Sequence, residues 1–459
     1  MTRDSNGAGV LDTTVPGRPA DHTPASGRAL VIHPDLRTAA KTSRRQPQAS
    51  LVEAVGLAAA INLDIFHSEV VRVSRVNPKT LIGGGAVERL AALVGADEIG
   101  VAVVDGELSP VQQRNLERAL GCKVIDRTGL ILEIFGARAR TKEGKLQVEL
   151  AALNYQRSRL VRSWTHLERQ RGGHGFMGGP GERQIEMDRR LIDDRITRLK
   201  GDLEHVKRTR ETHRQQRRRV PYPIVALVGY TNAGKSTLFN HLTQSHVLEH
   251  DMLFATLDPT MRHLRLPQGQ DVILSDTVGF ISELPTQLIA AFHATLEEVL
   301  EADVVVHVRD IAHPETETQR DDVEAVLCEL GLDETVDSDL IEAWNKMDLL
   351  ETESASVVTA HAERQPDTVL CSAKTGVGCD ALIHCIAARL TRHFEEIRVR
   401  LPYSAGKALA WLYDRGDVID RADGEAGIDL NVRLSTADIE RFRERYGDTA
   451  NLLNAPADK

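Results

Sequence analysis

No apolar run in the 459 residues is long enough to cross a bilayer, so no membrane span is expected. Residues 1–30 are rich in Thr, Gly, Pro and Asp and have no apolar core of the kind a secretory signal carries, so no leader is expected. Cysteine is scarce. Cys122, Cys328, Cys371, Cys379 and Cys385 are odd in number and never spaced C-x-x-C, which reads as reduced core thiols in the cytosol and not as metal ligands. Positive charge is not in excess either: 57 Lys and Arg stand against 67 Asp and Glu, a net charge of −10. That argues against a chain that coats nucleic acid along its length, while leaving room for local basic stretches. Apolar content, at 41%, is somewhat low, as in a chain with polar extensions. The expectation is a cytoplasmic monomer of about three domains.

What is present is concentrated in Ile-Val-Ala-Leu-Val-Gly-Tyr-Thr-Asn-Ala-Gly-Lys-Ser-Thr, residues 224–237. Residues 224–228 form an all-apolar run, as in a strand buried on both faces. Gly229, Tyr230, Thr231, Asn232, Ala233, Gly234, Lys235 and Ser236 then satisfy G-x-x-x-x-G-K-[ST], and a helical segment follows. The glycines let backbone N–H groups close around phosphate oxygens, and the helix N-terminus adds partial positive charge. Lys235 is expected to reach the β- and γ-phosphates, and the Ser236 hydroxyl to ligate Mg²⁺. Asn232 is a candidate K⁺ ligand, or equally a turn residue that tolerates strained dihedrals.

The base is identified about a hundred residues on, by Asn345-Lys346-Met347-Asp348 behind the apolar residues 340–344. A carboxylate at Asp348 can accept from guanine N1–H and its 2-amino group together, Asn345 would bond the other edge, and the Lys346 stem can lie over the ring. Ser372-Ala373-Lys374, after the strand-like residues 368–371, reads as the loop that offers a backbone N–H to the guanine carbonyl. Behind a P-loop this order resembles a translation-factor-type GTPase domain, with GTP as the nucleotide. Phe254, Ala255, Thr256, Leu257, Asp258 and Thr260 occupy the first switch interval. Thr256 is the expected Mg²⁺ ligand of the GTP state, with Thr260 its competitor on spacing. Asp276, Thr277, Val278 and Gly279 form the second switch, where Asp276 is expected to hold Mg²⁺ through water and the Gly279 N–H to sense the γ-phosphate. Lys235, Thr256 and Gly279 are the expected catalytic groups. Phe280 stands where many small GTPases have the Gln that orients the attacking water, so slow intrinsic turnover is expected.

Around this centre, residues 1–48 mix Gly, Pro, Ser and Thr with charge and read as a disordered extension, apart from the brief Ala29-Leu30-Val31-Ile32. From about residue 49, helical patterns at 51–62, 86–94 and 109–120 alternate with strand patterns at 69–75, 100–105 and 123–126, a small α/β domain reaching to about 165. Gly83-Gly84-Gly85 has no following Lys-Ser and reads as a left-handed turn. Helical periods then run over 131–139, 145–169 and 182–219. Along the last of these, Ile185, Leu191, Ile192, Ile196, Leu199, Leu203 and Val206 suit one narrow buried seam. Two long helices joined by a Gly-rich loop predict an antiparallel hairpin. Between residues 157 and 219 basic residues outnumber acidic ones roughly two to one, and the loop carries Arg169, Arg171, Gly172, Gly173, Gly179 and Gly181. That pattern fits a solvated face or an RNA-binding tip. Residues 284–300 read as a helix after the second switch. Beyond 395, residues 398–402, 407–414, 418–421 and 427–434 suggest strand, helix and hairpin.

The motifs Asn77-Pro-Lys-Thr-Leu-Ile-Gly83, Leu108-Ser-Pro-Val-Gln-Gln-Arg-Asn-Leu-Glu-Arg118, Val124-Ile-Asp-Arg-Thr-Gly-Leu-Ile-Leu132, Glu143-Gly-Lys-Leu-Gln-Val-Glu-Leu150, His166-Leu-Glu-Arg-Gln-Arg-Gly-Gly173 and Gly179-Pro-Gly-Glu182 resemble the HflX family of GTPases from about residue 51 to 380. Arg183 departs from the family's usual Thr. The resemblance implies an α/β architecture: a small α/β domain (49–165), a helical hairpin completed by residues 166–219, a Ras-like P-loop GTPase domain (220–394), and here a small α+β C-terminal domain (395–459). It also implies Mg²⁺, binding to the large (50S) ribosomal subunit and its rRNA, and splitting or rescue of stalled ribosomes under stress. An RNA-binding ribosome assembly factor that hydrolyses GTP only for release is the alternative, and a signalling switch for a protein partner is a third reading.

Overall fold

The structure, a computed structural model, describes residues 27–36, 45–168, 180–217, 222–244, 253–254, 260–267, 269–282, 296, 298–332, 340–365, 367–391, 394–424, 427–447 and 451–453. The chain divides into two compact units, residues 1–131 with 162–171, and residues 132–161 with 172–459.

In the first unit Ala29, Leu30, Val31 and Ile32 are all fully buried. Four consecutive apolar residues are all covered in a strand packed on both faces. They lie in β1 (Arg28–Leu36), which pairs in parallel with β2 (Asp64–Val73) on one side and β3 (Val101–Val104) on the other; β4 (Lys123–Asp126) completes the order β2-β1-β3-β4. This corrects the expectation of a disordered extension through residue 48. The apolar run is four residues long and is followed by His33, Pro34 and Asp35, so it shows no period, and only its strand partners turn it into a central strand.

Three helices, α1 (Pro47–Ala59), α2 (Gly84–Ala96) and α3 (Pro110–Leu120), connect the strands. The ends of α3 are set locally. Ser109 and Gln112 exchange capping hydrogen bonds at its start, Pro110 needs no intrahelical donor there, and Gly121 at φ 71° closes it. Gly83-Gly84-Gly85 corrects the expected left-handed turn: Gly83 is extended at φ −66°, and Gly84 opens α2. At the carboxyl ends of β1, β3 and β4 lies a chain of paired charges. His33 Nδ1 is 2.8 Å from Asp105, Arg127 donates to both Asp105 and Glu53, and Arg45 donates to Glu53 at 2.8 Å. Burial would raise the Asp105 pKa, but Arg127 and His33 outweigh it and hold the carboxyl below its usual range.

Helix α4 (Arg127–Arg138) contains the point where the chain passes into the second unit. There the part of α5 (Lys142–Glu168) up to residue 161 and α6 (Pro180–Arg217) run antiparallel, as the Arg157–Asp193 and Arg195–Glu149 ion pairs require. Ile196, Leu199 and Leu203 form the buried seam of α6. Leu191 was expected in it but is 62% exposed. Advancing about 100° per residue puts it off the stripe that its neighbour Ile192 borders. The tip, including Arg169, Arg171, Gly172, Gly173 and Gly179, lies outside the described residues, while Gly181 falls in the first turn of α6.

The central sheet has the order β10-β9-β8-β5-β7-β6, from β5 (Ile224–Val228), β6 (Thr260–Arg265), β7 (Asp271–Asp276), β8 (Val304–Asp310), β9 (Leu340–Asn345) and β10 (Thr368–Leu370). All its pairs are parallel except β6 with β7. β5 sits between β7 and β8, where the chain's direction of travel across the sheet reverses, the position at which such sheets bind ligands. Most of the helix expected over 284–300 lies outside the described residues; 296 and 298–300 are helical. A second sheet, antiparallel, has the order β12-β13-β11-β14 from β11 (Phe394–Leu401), β12 (Asp417–Gly424), β13 (Gly427–Ser435) and β14 (Asn451–Leu453). Leu412 and Phe442, from helices Gly406–Arg415 and Thr436–Tyr446, are fully buried in its core. The second of these helices and β14 add to the strand, helix and hairpin expected there. Among the described residues no helix is long and apolar enough to cross a membrane.

Candidate nucleotide-binding site

The fully buried strand residues Val225–Val228 deliver the loop Gly229–Gly234 to the carboxyl edge of the sheet. Gly234, at φ 94°, leaves no room for a Cβ, which would run into the Asn345 amide. Helix α7 (Lys235–Thr243) starts directly after it. Lys235 is buried, and its ammonium donates to the Gly229 and Tyr230 carbonyls at 3.0 and 2.9 Å. Burial lowers its pKa to about 8, against a smaller opposing pull from Asp276.

The Ser236 hydroxyl donates to Asp276 Oδ2 at 2.8 Å. Two hard oxygen donors side by side at the phosphate end of the loop fit Mg²⁺, which completes its shell with water and phosphate oxygens. Among the described residues no group of three or more His, Cys, Asp or Glu forms a metal site of its own. Thr277 anchors the start of the second switch by donating to the Leu227 carbonyl at 2.6 Å. Val278 and Phe280 are buried, and a Cβ on Gly279 would lie 2.8 Å from Thr231 Cγ2 and 3.1 Å from Lys235 Nζ. Asn232 is exposed in the left-handed region at φ 61°, the strained conformation of its turn reading.

Ala255, Thr256, Leu257 and Asp258 lie outside the described residues. Phe254 is buried edge-on against Phe135, with ring centroids 4.8 Å apart. Thr260 begins β6, in register with Asp276.

At the base end, the Asn345 carboxamide, expected on the guanine edge, also bridges protein groups. Nδ2 donates to the Ala233 carbonyl and Oδ1 accepts from the Ala373 N–H, both at 2.9 Å. Asp348 accepts from the Ser372 hydroxyl at 2.6 Å, which fixes the carboxylate beside the Ser372–Lys374 loop. Met347 and Asp348 begin a single 3₁₀ turn. Lys346 adopts φ 67°, and its ammonium pairs with Asp310 at 2.8 Å. Asp310 was not singled out from the sequence. Its signal is positional: it is the last residue of the buried strand β8, in register with Asn345.

On the helix pair several basic residues are engaged with neighbours. Arg157 and Arg189 face Asp193, Arg190 pairs with Glu186, Arg195 with Glu149, and Arg159 lies 4.3 Å from the Tyr155 ring centre. Such exposed pairs are worth at most about 1 kcal/mol each.

Four family models match the chain in succession. They are the GTP-binding GTPase N-terminal (48–136), the GTP-binding GTPase middle region (138–217), the 50S ribosome-binding GTPase (224–346) and the HflX C-terminal domain (357–455). The last extends the likeness beyond residue 380. GTPase HflX of Magnetococcus marinus is 50% identical over 410 residues, 89% of this chain and 94% of that one. GTPase HflX of Escherichia coli is 41% identical over 425 residues, 92% and 97% of the two chains. A solved GTP-binding protein from Sulfolobus solfataricus in complex with GDP is 23% identical, covering 80% of this chain and 99% of its own, with a TM-score of 0.42.

Proposed function

Because the chain belongs to the HflX family of GTPases, we propose that it binds the large ribosomal subunit and couples GTP binding and hydrolysis to the splitting or rescue of stalled ribosomes under stress. The observation that carries the reading is one chain joining a guanine-type pocket, matched at 224–346 by the 50S ribosome-binding GTPase model, to a basic antiparallel helix pair. In this reading the loop Gly229–Ser236 holds the phosphates, and Lys235 turns from its own loop carbonyls to the β- and γ-phosphates. Ser236 and Thr256 would hold Mg²⁺ directly and Asp276 through water, and the ion would supply charge neutralisation on the triphosphate. Asn232 is a candidate K⁺ ligand. The Gly279 N–H reads the γ-phosphate, and Asp348 reads guanine with the Ser372–Lys374 loop. Phe280 has no polar group and is 2% exposed, so no side chain at that position orients water, and the partner completes the catalytic site.

The Gly-rich tip with Arg169 and Arg171 is the proposed rRNA contact, and the protein acts as a cytoplasmic monomer. Sedimentation of 70S ribosomes with the protein and a non-hydrolysable GTP analogue tests this. Separation into subunits is the expected result. Stable co-migration without splitting would replace it with the assembly-factor reading. Substituting both tip arginines by Ala is expected to weaken 50S binding and to flatten its salt dependence by roughly one log–log unit per lost contact, with intrinsic hydrolysis intact.

A further inference from the structure

Tyr230, the second residue of the phosphate loop, carries a large side chain and is only 4% exposed. Its backbone forms an isolated parallel bridge with Phe280. The Phe280 N–H donates to the Gly229 carbonyl at 3.1 Å, and the Thr231 N–H donates to the Phe280 carbonyl at 2.7 Å. Two residues further on, the Ser282 N–H donates to the Tyr230 hydroxyl at 2.7 Å. Phe280, Ile281 and Ser282 are all buried at 9% exposure or less. The start of the second switch is therefore zipped to the phosphate loop by its backbone at Phe280 and pinned again at Ser282 by one phenol. Gly279 lies at the near end of this segment, against Thr231 and Lys235.

We propose that Tyr230 is a positioning residue for GTP hydrolysis: its hydroxyl holds Ser282 so that the segment Gly279–Ser282 stays registered on the phosphate loop and the Gly279 N–H meets the γ-phosphate. The backbone pairing reaches the segment at Phe280, and the phenol reaches it again two residues further on, at Ser282. The phenol supplies the second fixed point, and two points define a direction. GDP has no γ-phosphate for Gly279 to meet, so the hydroxyl matters for GTP and for turnover but not for GDP. This inference rests on the GTPase activity and is independent of the ribosome.

The test is Tyr230→Phe in the full chain, which removes one oxygen and keeps the ring in its pocket. Affinity for GDP and for a non-hydrolysable GTP analogue, single-turnover hydrolysis of GTP and the thermal midpoint are measured without ribosomes. GDP affinity and the midpoint are expected to stay within twofold and a degree or two of wild type. Hydrolysis is expected to fall roughly five- to twentyfold, the scale of one hydrogen bond to a buried amide, with preference for the GTP analogue over GDP reduced. Unchanged hydrolysis would overturn the proposal, as would a parallel loss of GDP affinity, GTP affinity and thermal stability, which marks a purely structural tyrosine. Wild-type hydrolysis in the same assay reports on the GTPase site itself, and ribosome splitting is scored separately.

Discussion

Arg127 and Lys235 are both cations at 6% exposure, each at the carboxyl ends of parallel strands. Arg127 is clasped by two carboxylates, Asp105 and Glu53, which in turn are held by His33 and Arg45. Burial would lower its pKa, and the two carboxylates more than reverse that. Lys235 has no carboxylate within ion-pair distance among the described residues, only two carbonyls of its own loop, and burial lowers its pKa to about 8. A buried charge that is fully answered by its neighbours holds a structure in place. One faced chiefly by loop carbonyls, with only a weak pull from Asp276, is suited to meet an anion, which the proposed function takes to be a triphosphate.

Breaking the answered charge should cost more. Arg127→Met leaves Asp105 and Glu53 buried together without their shared cation and is expected to destabilise the protein by about 3–5 kcal/mol. The midpoint of urea unfolding checks this, and guanine nucleotide affinity in the folded fraction should not change. A variant as stable as wild type would mean that the chain of pairs contributes nothing net.

Lys235→Ala should do the reverse. It should lower nucleotide affinity by about a hundredfold, the loss of two charge-assisted hydrogen bonds, while stability stays level or rises. The wild type carries a sharper signature. Bound phosphate raises the Lys235 pKa above its free value of about 8, so affinity for GTP should decline as pH rises past 8, by up to about tenfold per unit. A flat profile between pH 7.5 and 9.5 would contradict the open-charge description.

His307 is the intermediate case, a buried group that avoids its charge. Burial drives its pKa down to about 3; Glu342 pulls the other way, and Arg309 and Arg320 add to the depression. The unfolded chain takes up this proton near pH 6.5 and the folded one does not. The stability His307 contributes is therefore complete above that pH and lost as pH falls toward 3, at no more than about 1.4 kcal/mol per unit. His307→Gln should be less stable near neutral pH and lose less on acidification, seen as converging urea midpoints between pH 7 and 4.5.

The same contrast explains what could be read from residues alone. The loop Gly229–Ser236, Asp276, Asn345–Asp348 and Ser372–Lys374 are short contiguous strings whose backbone and side chains act together, so their order along the chain already gives their proximity. The partners of Arg127 are Glu53 and Asp105, far away in sequence and in no motif, so nothing local signals them. Spacing located Asn345 in the base loop but could not say which way its carboxamide faces. That depends on the Ala233 carbonyl and the Ala373 amide, which only the assembled sheet brings within reach. The strand Arg28–Leu36 was missed for a similar reason. Its apolar core is four residues long, and its identity as the middle of a sheet belongs to β2 and β3 as much as to itself.

The Asn345 carboxamide has a kinetic consequence. One side chain fastens the phosphate loop at Ala233 to the base loop at Ala373, sites 112 and 28 residues from it along the chain. The two ends of the pocket are thereby yoked, and prising one open strains the bond to the other. Guanine and phosphates should leave in a single concerted step, so that the lifetime of the bound nucleotide behaves as a property of the whole pocket and not as the sum of two independent grips.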